Sequence, residues 1–266
     1  MLKDMPAGQC IETTNPNLDD IFGFCLATIE CPRIQEVYKY FGVKKLTELT
    51  EGQVDEFRRL YPEIYYPAIP TRKDGRLIMA LEQKEPRWYF SEELKYIKSL
   101  GYKVTIIKSY HFERTILFKD YVEDTYKMKE EGDEVERKIA KLLLNSLYGR
   151  WGYTPENIQH KIIPSCDLIE YIQKYDLVST DTLPSGKLDI SYIKEPSIED
   201  EDSGNYKTTV QSVGISSAIA AYGRIEMHKT LCDIGRDGGI PNYVDTDSVF
   251  VNIKLPKETL KFNKNR

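Results

Sequence analysis

The chain has 266 residues, of which 41% are hydrophobic and 30% charged, and its formal net charge is −5. This composition is typical of a globular protein with one large or two smaller domains, and no apolar stretch reaches the roughly 20 residues of a membrane-spanning helix. The acidic balance argues against nucleic-acid binding unless basic residues cluster locally on an acidic body.

The N-terminal sequence argues against a targeting peptide, and the cysteines argue against a fold held by disulfides or zinc. The N-terminal sequence MLKDMPAGQCIETTNPN lacks the apolar core of a signal peptide and the arginine-rich composition of a transit peptide. The five cysteines are odd in number, scattered and without a CxxC pair, so neither a disulfide framework nor a zinc site is expected.

The first part of the chain, to about Ser109, mixes strand and helix patterns. Strands are predicted at IFGFCLATIEC, RLIMALE and YKVTIIKSY, whereas TEGQVDEFRRLY and SEELKYIKSLG carry apolar residues at helical spacing. Ser91 is expected to be the N-cap of the second helix, and Gly101 the residue that ends it.

A helical hairpin is predicted next. The patterns LFKDYVEDTYKMKEE and EVERKIAKLLLNSLY are separated by Gly132 and Asp133. Asp133 followed by Glu136 three residues later has the pattern of a capping box, which marks the start of the second helix.

From Gly152 to about Lys207 the periodicity is weaker. Short strand-like runs alternate with turns such as LPSGK, and IEDEDSGN (198–205) predicts an exposed loop. The segment SVGISSAIAAYGRIEMHKTLCDI then predicts one helix with a face of small residues, suited to packing closely against a sheet.

Two aspartates lie at the centre of the apolar run NYVDTDSVFV. Asp245 and Asp247 repel each other, and burying either without a partner is costly. A solvated turn, a basic partner or a shared cation would each compensate, and an isolated DTD favours the turn. The flanking residues predict a sheet-buried hairpin with the acids at its tip, whose hard oxygen ligands suit Mg²⁺ or Mn²⁺.

The second helix of the predicted hairpin carries a polar stripe. At 100° per residue, four positions fall within about 80° of one another: Arg137, Lys141, Asn145 and Tyr148. The opposite side is predicted to be buried and carries Val135, Ile139, Leu142, Leu143 and Ser146. Periodicity alone favours a solvated amphipathic helix; the alternative is a surface that binds a phosphate-bearing ligand.

A cationic stripe that binds a triphosphate and an acidic hairpin that binds Mg²⁺ are together typical of nucleotidyl transfer by two metal ions. KLLLNSLYG resembles the fingers motif K-x-x-x-N-S-x-Y-G of family B DNA polymerases, and YVDTDS resembles their palm motif Y-x-D-T-D-S, in the same order along the chain. The segments MLKDMPAG, LDDIFGFCLATIECP, YFSEELKYIKSLGYKV and FKDYVEDTY are similar to the protein-primed branch of linear organellar plasmids and some phages. The resemblance covers most of the chain.

The resemblance implies roles for individual residues. Asp247 would bind both catalytic metals, with Asp245 as its companion in the metal site, and Tyr243 would meet the primer terminus. The incoming triphosphate and its base would contact Lys129, Arg137, Lys141, Asn145 and Tyr148. Gly223 and Arg224, in AAYGR, resemble the DNA-contacting motif T-x-x-(G/A)-R, but Ala220 stands in place of its threonine, whose role is therefore not carried over.

The implied fold is α+β, a polymerase palm sheet with helical-hairpin fingers and insertion segments, incomplete at both ends. The expected divisions are an insertion-like region at 1–116, the fingers at 117–149, a second insertion at 150–210 and the palm remainder at 211–266. The family's other metal-binding aspartate belongs to a D-x-x-S-L-Y-P motif that precedes a segment like MLKDMPAG. That motif and the thumb are not expected in this chain.

The implied activity is template-directed DNA synthesis that starts from a terminal-protein hydroxyl. Its cofactor would be Mg²⁺ or Mn²⁺, and its partners primer-template DNA, deoxynucleoside triphosphates and the terminal protein, without a membrane. A mitochondrial or linear-plasmid location, or alternatively a phage or virus, follows only from the branch resembled. The chain alone is expected to polymerise little, and the competing hypotheses are a non-catalytic nucleic-acid-binding remnant and a structural cation-binding module.

Overall fold

The computed structural model describes residues 3–13, 17–152, 158–193, 212–245 and 248–256, except for the side chains of Tyr148 and Arg150. The chain divides into two compact units, one formed by Met1–Tyr148 with Gly214–Arg266 and the other by Gly149–Val213. Both contain helices and antiparallel strands, so the predicted α+β class is confirmed. The acidic segment IEDEDSGN lies outside the described residues.

Helices occur in both units. In chain order they are α1 (Ile34–Phe41), α2 (Glu51–Leu60), α3 (Pro62–Tyr65), α4 (Ser91–Ser99), α5 (Lys119–Glu131), α6 (Glu134–Gly152), α7 (Leu168–Lys174) and α8 (Val213–Arg236). In the part of the chain that the structure describes, none of these is both long and apolar enough to cross a bilayer.

The first unit is built on a four-stranded antiparallel sheet. Its strands are β1 (Met5–Thr13), β2 (Gly23–Glu30), β5 (Gln83–Phe90) and β6 (Lys103–Thr115), in the order β1-β6-β2-β5. Two separate antiparallel pairs belong to the same unit: β3 (Ile69–Lys73) with β4 (Arg76–Ala80), and β10 (Pro241–Asp245) with β11 (Ser248–Val251).

The main core lies on one face of this sheet. Alternate residues of β2 point into it, as the period of a half-buried strand requires. Residues Cys25, Ala27 and Ile29 are fully buried there with Leu94 and Ile97 of α4. Each large apolar side chain buried in this way contributes about 1.5–3 kcal/mol.

Helix α8 packs through small residues, as predicted. Ala218 and Ala221 are fully buried. A Cβ added to Gly214 would lie 3.3 Å from the ring of Phe24 on β2. The small-residue face therefore allows the helix backbone to approach the sheet.

The start of α4 differs from the prediction, and its end agrees. Phe90 is the N-cap residue, and the hydroxyl of Ser91 instead accepts a hydrogen bond from the backbone N–H of Gly23 at 3.0 Å. Because β5 runs directly into α4, Ser91 is already helical and buried, and its side chain joins the helix to β2. Gly101 follows the helix with φ of +90°, the left-handed conformation that favours glycine.

The second unit contains a three-stranded antiparallel sheet. Its strands are β7 (Ile158–Ile163), β8 (Asp176–Thr182) and β9 (Leu188–Ile193), in the order β7-β9-β8. Its core is formed by Ile163, Leu188, Ile190 and Tyr192. The predicted LPSGK turn joins β8 to β9, closed by a hydrogen bond from the N–H of Leu183 to the carbonyl of Lys187 at 2.8 Å.

Helix α6 begins at the predicted capping box. The Asp133 carboxylate accepts hydrogen bonds from the backbone N–H groups of Val135 and Glu136 at 2.8 Å each, and the Glu136 carboxylate accepts from that of Asp133 at 3.0 Å. We expect Asp133→Ala to lower the free energy of unfolding by about 1 kcal/mol in urea denaturation. Asp124→Ala, at an exposed position within α5, is the control, and an equal loss in both variants would contradict this role.

Candidate active site

Helices α5 and α6 form an antiparallel hairpin, as the sequence predicts. Near one end the Tyr121 hydroxyl donates to the carbonyl of Leu143 at 3.4 Å, and near the other the Arg137 Nε donates to the carbonyl of Lys129 at 3.5 Å. The turn requires Gly132, because a Cβ there would lie 2.4 Å from the carbonyl oxygen of Met128. That this hairpin acts as polymerase fingers stays a prediction.

The buried face of α6 is not the predicted one. Ala140 is fully buried, and Leu144 and Leu147, at helical spacing from it, are half-buried. The face expected to be buried is exposed instead: Val135 63%, Ile139 44%, Leu142 66%, Leu143 39%, and Ser146. The buried face was predicted from the positions of large apolar residues, whereas the helix packs through the small Ala140.

The polar stripe of α6, together with Lys129 of α5, carries cations without an acidic partner in the described part of the chain. Arg137, Lys141 and Asn145 are exposed, and the Lys129 ammonium lies 5.3 Å from the ring centroid of Tyr126. Other lysines of the hairpin pair with a glutamate four residues away: Lys119 with Glu123, Lys127 with Glu131 and Lys138 with Glu134. Among the described residues Lys129, Arg137 and Lys141 form no ion pair, so they are available to an anionic ligand.

The acidic motif lies on the β10–β11 hairpin. Val244 pairs with Val249 and Asp245 with Ser248 in antiparallel register. Asp245 is exposed, and its carbonyl accepts a hydrogen bond from the Ser248 hydroxyl at 3.1 Å. The hairpin is therefore confirmed, whereas Asp247 lies outside the described residues.

This hairpin is not sheet-buried, contrary to the sequence prediction. Tyr243 is 58% exposed, Val244 42% and Phe250 64%. Among the described strands β10 and β11 pair only with each other, so this hairpin is not extended into a larger sheet there. The ring of Tyr243, the predicted primer contact, lies 6.0 Å from that of Phe250.

The donor set on this hairpin fits a hard cation only in part. A carboxylate oxygen of the kind that Asp245 offers is the ligand that Mg²⁺ and Mn²⁺ prefer. Within the described ranges, no three His, Cys, Asp or Glu side chains are grouped to hold a metal ion. A cation held by Asp245 would therefore need further ligands, and that Asp247 supplies one of them stays a prediction.

Arg224, the predicted DNA contact on α8, is engaged in a bidentate ion pair. Its Nε lies 2.6 Å from Oε1 of Glu93 and its Nη2 lies 3.0 Å from Oε2. The Glu93 side chain is 3% exposed and that of Arg224 is 28% exposed. Burial raises the pKa of the Glu93 carboxyl, and the adjacent guanidinium opposes that rise. Gly223 is exposed, with open space where a Cβ would lie.

Sequence reasoning missed Glu93. A weak signal existed, because Glu93 lies four residues before the buried Ile97 and so falls on the buried face of α4. Its partner is 131 residues away in the chain, which no local pattern reveals. The opposition of the α6 stripe to the β10–β11 hairpin across a nucleotide-sized cleft also stays a prediction, because Asp247 and the Tyr148 side chain are not described.

Known proteins resemble this chain throughout most of its length. The family profile described as "DNA polymerase type B, organellar and viral" matches residues 1–235. The chain is 36% identical over 217 residues to a "probable DNA polymerase" of Podospora anserina, an alignment that covers 72% of this chain and 18% of that protein. A "probable DNA polymerase" of Neurospora intermedia is 35% identical over 198 residues, covering 72% and 19%.

The fold is also similar to a solved polymerase. The Phi29 DNA polymerase in its ternary complex with primer-template DNA and incoming nucleotide gives a TM-score of 0.57 at 17% identity, covering 97% of this chain and 37% of that one. At this identity the likeness shows the fold alone. The chain belongs to the organellar and viral type B DNA polymerases. It spans about a fifth of the length of its curated fungal relatives.

Proposed function

We propose that the chain carries part of the catalytic centre of a template-directed DNA polymerase. Its family membership carries the proposal. Two local features support it: KLLLNSLYG lies on α6, where Arg137 and Lys141 have no acidic partner among the described residues, and YVDTDS spans the β10–β11 hairpin. The reaction would join a primer 3′-hydroxyl to the α-phosphate of a deoxynucleoside triphosphate and release pyrophosphate.

The residues would divide this work by their chemistry. Asp245 and Asp247 would hold Mg²⁺ or Mn²⁺, which when bound lowers the pKa of the attacking hydroxyl and neutralises charge on the leaving group. Lys129, Arg137 and Lys141 would bind the triphosphate. The pocket for the new base pair would be lined by Asn145 and Tyr148, and the primer terminus would meet Tyr243.

Protein priming and location belong to the same proposal. The branch that the sequence resembles starts synthesis from a hydroxyl of a terminal protein. Curated relatives of this chain come from fungi, and the family is described as organellar and viral. We therefore place the enzyme on a linear plasmid or organellar replicon, in mitochondria, with a terminal protein as partner.

Primer extension tests the proposal. The chain as it stands should be compared with a longer version that carries the D-x-x-S-L-Y-P motif, on a primed DNA template with Mg²⁺. We expect extension by the longer version and little by the chain alone, because two-metal catalysis needs the further carboxylate. A soluble, folded longer version that never extends the primer would refute the proposal.

Lys141→Ala should weaken nucleotide binding. Loss of a charge-assisted hydrogen bond costs about 1.5–3 kcal/mol, so the apparent Kd for a fluorescent deoxynucleoside triphosphate should rise by roughly tenfold or more. Lys138→Ala is the matched control on the same helix, since Lys138 is already paired with Glu134 at 2.7 Å and is 74% exposed. Equal affinities of the two variants would remove Lys141 from the binding site.

A further inference from the structure

A groove of about 670 Å³ opens beside the buried ion pair of the first unit. Its walls come from the β3–β4 hairpin, from β5 and from the first half of α8. Arg72 and Leu77 line it on the hairpin side, and Arg224 lines it on the helix side. Its volume suits a small ligand or a few linked nucleotides, and is far too small for a duplex.

The β3–β4 hairpin carries an uncompensated positive charge at its tip. Three cations, Arg72, Lys73 and Arg76, accompany the single carboxylate of Asp74, and all four residues are exposed. Lys73 and Arg76 lie directly opposite each other across the strands, an arrangement that repels. Among the described residues none of the three cations has an ion-pair partner. The hairpin therefore presents a cationic edge that an anionic ligand would relieve.

An aromatic platform lies on the β5 side of the groove. The Trp88 ring is stacked on Tyr110, with centroids 5.3 Å apart and planes 17° apart, and it remains 47% exposed. Lys108 on β6 places its ammonium 5.0 Å from the Tyr110 centroid. Lys108 is itself paired with Glu12 at 2.9 Å, so the exposed indole is the group available to a ligand. An indole held flat by a stacked neighbour is suited to stacking with a nucleobase.

Arg87, whose Nη2 lies 3.8 Å from Oε2 of Glu85, lines the groove together with Glu85 and Tyr89. Two buried polar atoms of Arg87 and Tyr89 have no hydrogen-bond partner among the described residues. They are the Nε of Arg87 and the hydroxyl of Tyr89. Burial raises the pKa of Tyr89 to about 12, so its hydroxyl stays protonated and can donate at neutral pH. Buried polar groups are normally bonded, so both donors have unused hydrogen-bonding capacity beside the groove.

We propose that this groove binds a short single-stranded stretch of DNA, whose phosphates contact Arg72, Arg87 and Arg224 and one of whose bases stacks on Trp88. Glu93 is a positioning residue in this site, because it fixes the Arg224 guanidinium at the edge of the groove. The inference rests on the proposed function in taking DNA as the anionic strand. It adds a binding site that is separate from the acidic hairpin and the α6 stripe.

Binding of a short oligo-dT to this chain tests the proposal. Arg72→Ala, Lys73→Ala and Arg76→Ala combined should weaken fluorescence-anisotropy binding by on the order of tenfold or more and lower the slope of log affinity against log salt by about 2, at about 0.7 per phosphate contact. The matched control removes three exposed lysines of the same unit: Lys39→Ala, Lys44→Ala and Lys45→Ala. Circular dichroism of both variants checks that they fold.

The intrinsic fluorescence of Trp88 gives an independent readout. In a Trp151→Phe background Trp88 is the sole tryptophan, and oligo-dT should quench it whereas an abasic strand of equal length should not. Trp88→Ala should weaken oligo-dT binding by roughly tenfold. Equal losses in the hairpin and control variants, or unquenched Trp88, would overturn the groove site. Neither result depends on catalysis, so the groove can fail while primer extension succeeds.

Discussion

Asp247→Asn is expected to slow nucleotide incorporation by on the order of 10³-fold or more in the longer version that extends primers with Mg²⁺, about 4 kcal/mol of transition-state stabilisation. An amide keeps the size of the carboxylate but removes the negative charge that holds the cations. Asp245→Asn should have a smaller effect, because the resemblance gives Asp247 both metals and Asp245 a companion role.

Single-turnover incorporation measures this effect free of product release. Asp237→Asn is the control, since Asp237 is an exposed carboxylate between α8 and β10 that has no part in the proposed site. Its rate should match that of the parent protein. Comparable rates in the Asp247→Asn and Asp237→Asn variants would show that the acidic hairpin does not hold the catalytic metals.

Local patterns in the sequence predicted the individual elements well. Helices α5, α6 and α8 lie where the sequence predicts helices, and the box formed by Asp133 and Glu136 marks the start of α6. The turn of LPSGK and the stop at Gly101 follow from backbone conformations that glycine adopts easily. These features depend on residues a few positions apart, so the sequence contains all the information that specifies them.

Features that depend on tertiary contacts could not be predicted in the same way. The face of α6 that packs carries the fully buried Ala140 and is not the largest apolar stripe. The hydroxyl of Ser91 bonds Gly23, 68 residues earlier, and thus does not cap its own helix. The pairing of Glu93 with Arg224 likewise joins two helices that are distant in the chain.

The net charge of −5 argues against a nucleic-acid ligand. Cations without an acidic partner nevertheless form local groups that can bind one. Acids and bases pair along much of the surface, as Lys119 and Glu123 do. The described cations without an acidic partner include two groups: Lys129, Arg137 and Lys141 on the α5–α6 hairpin, and Arg72, Lys73 and Arg76 on the β3–β4 hairpin. Field strength near these groups depends on local, not total, charge.

Arg224→Met should destabilise the chain by about 3 kcal/mol in urea denaturation. The substitution leaves the Glu93 carboxylate, 3% exposed, without its bidentate partner, and breaking a buried ion pair from one side typically costs about 3–5 kcal/mol. We expect the lower end, because Arg224 is 28% exposed and solvent already screens part of the interaction.

The loss of stability in Arg224→Met, relative to the parent protein, should become smaller in acid. Burial already raises the pKa of Glu93, and Arg224 opposes that rise, so removing the guanidinium raises the pKa further. A carboxyl whose pKa is higher in the folded than in the unfolded chain binds an extra proton on folding, and its destabilising effect grows as pH rises through the folded-state value. The deficit of Arg224→Met should therefore shrink between about pH 7 and about pH 5.

A double variant separates this electrostatic cause from lost packing. Glu93→Leu combined with Arg224→Met replaces the pair by apolar side chains of similar size, a change that is often neutral in stability. It should regain most of the lost stability, and the difference from the parent should no longer depend on pH in that range. The opposite outcome would be a double variant as unstable as Arg224→Met, with a loss of stability that does not change with pH in either variant. In that case the loss comes from the methylene contacts of Arg224, and Glu93 does not hold the guanidinium in place.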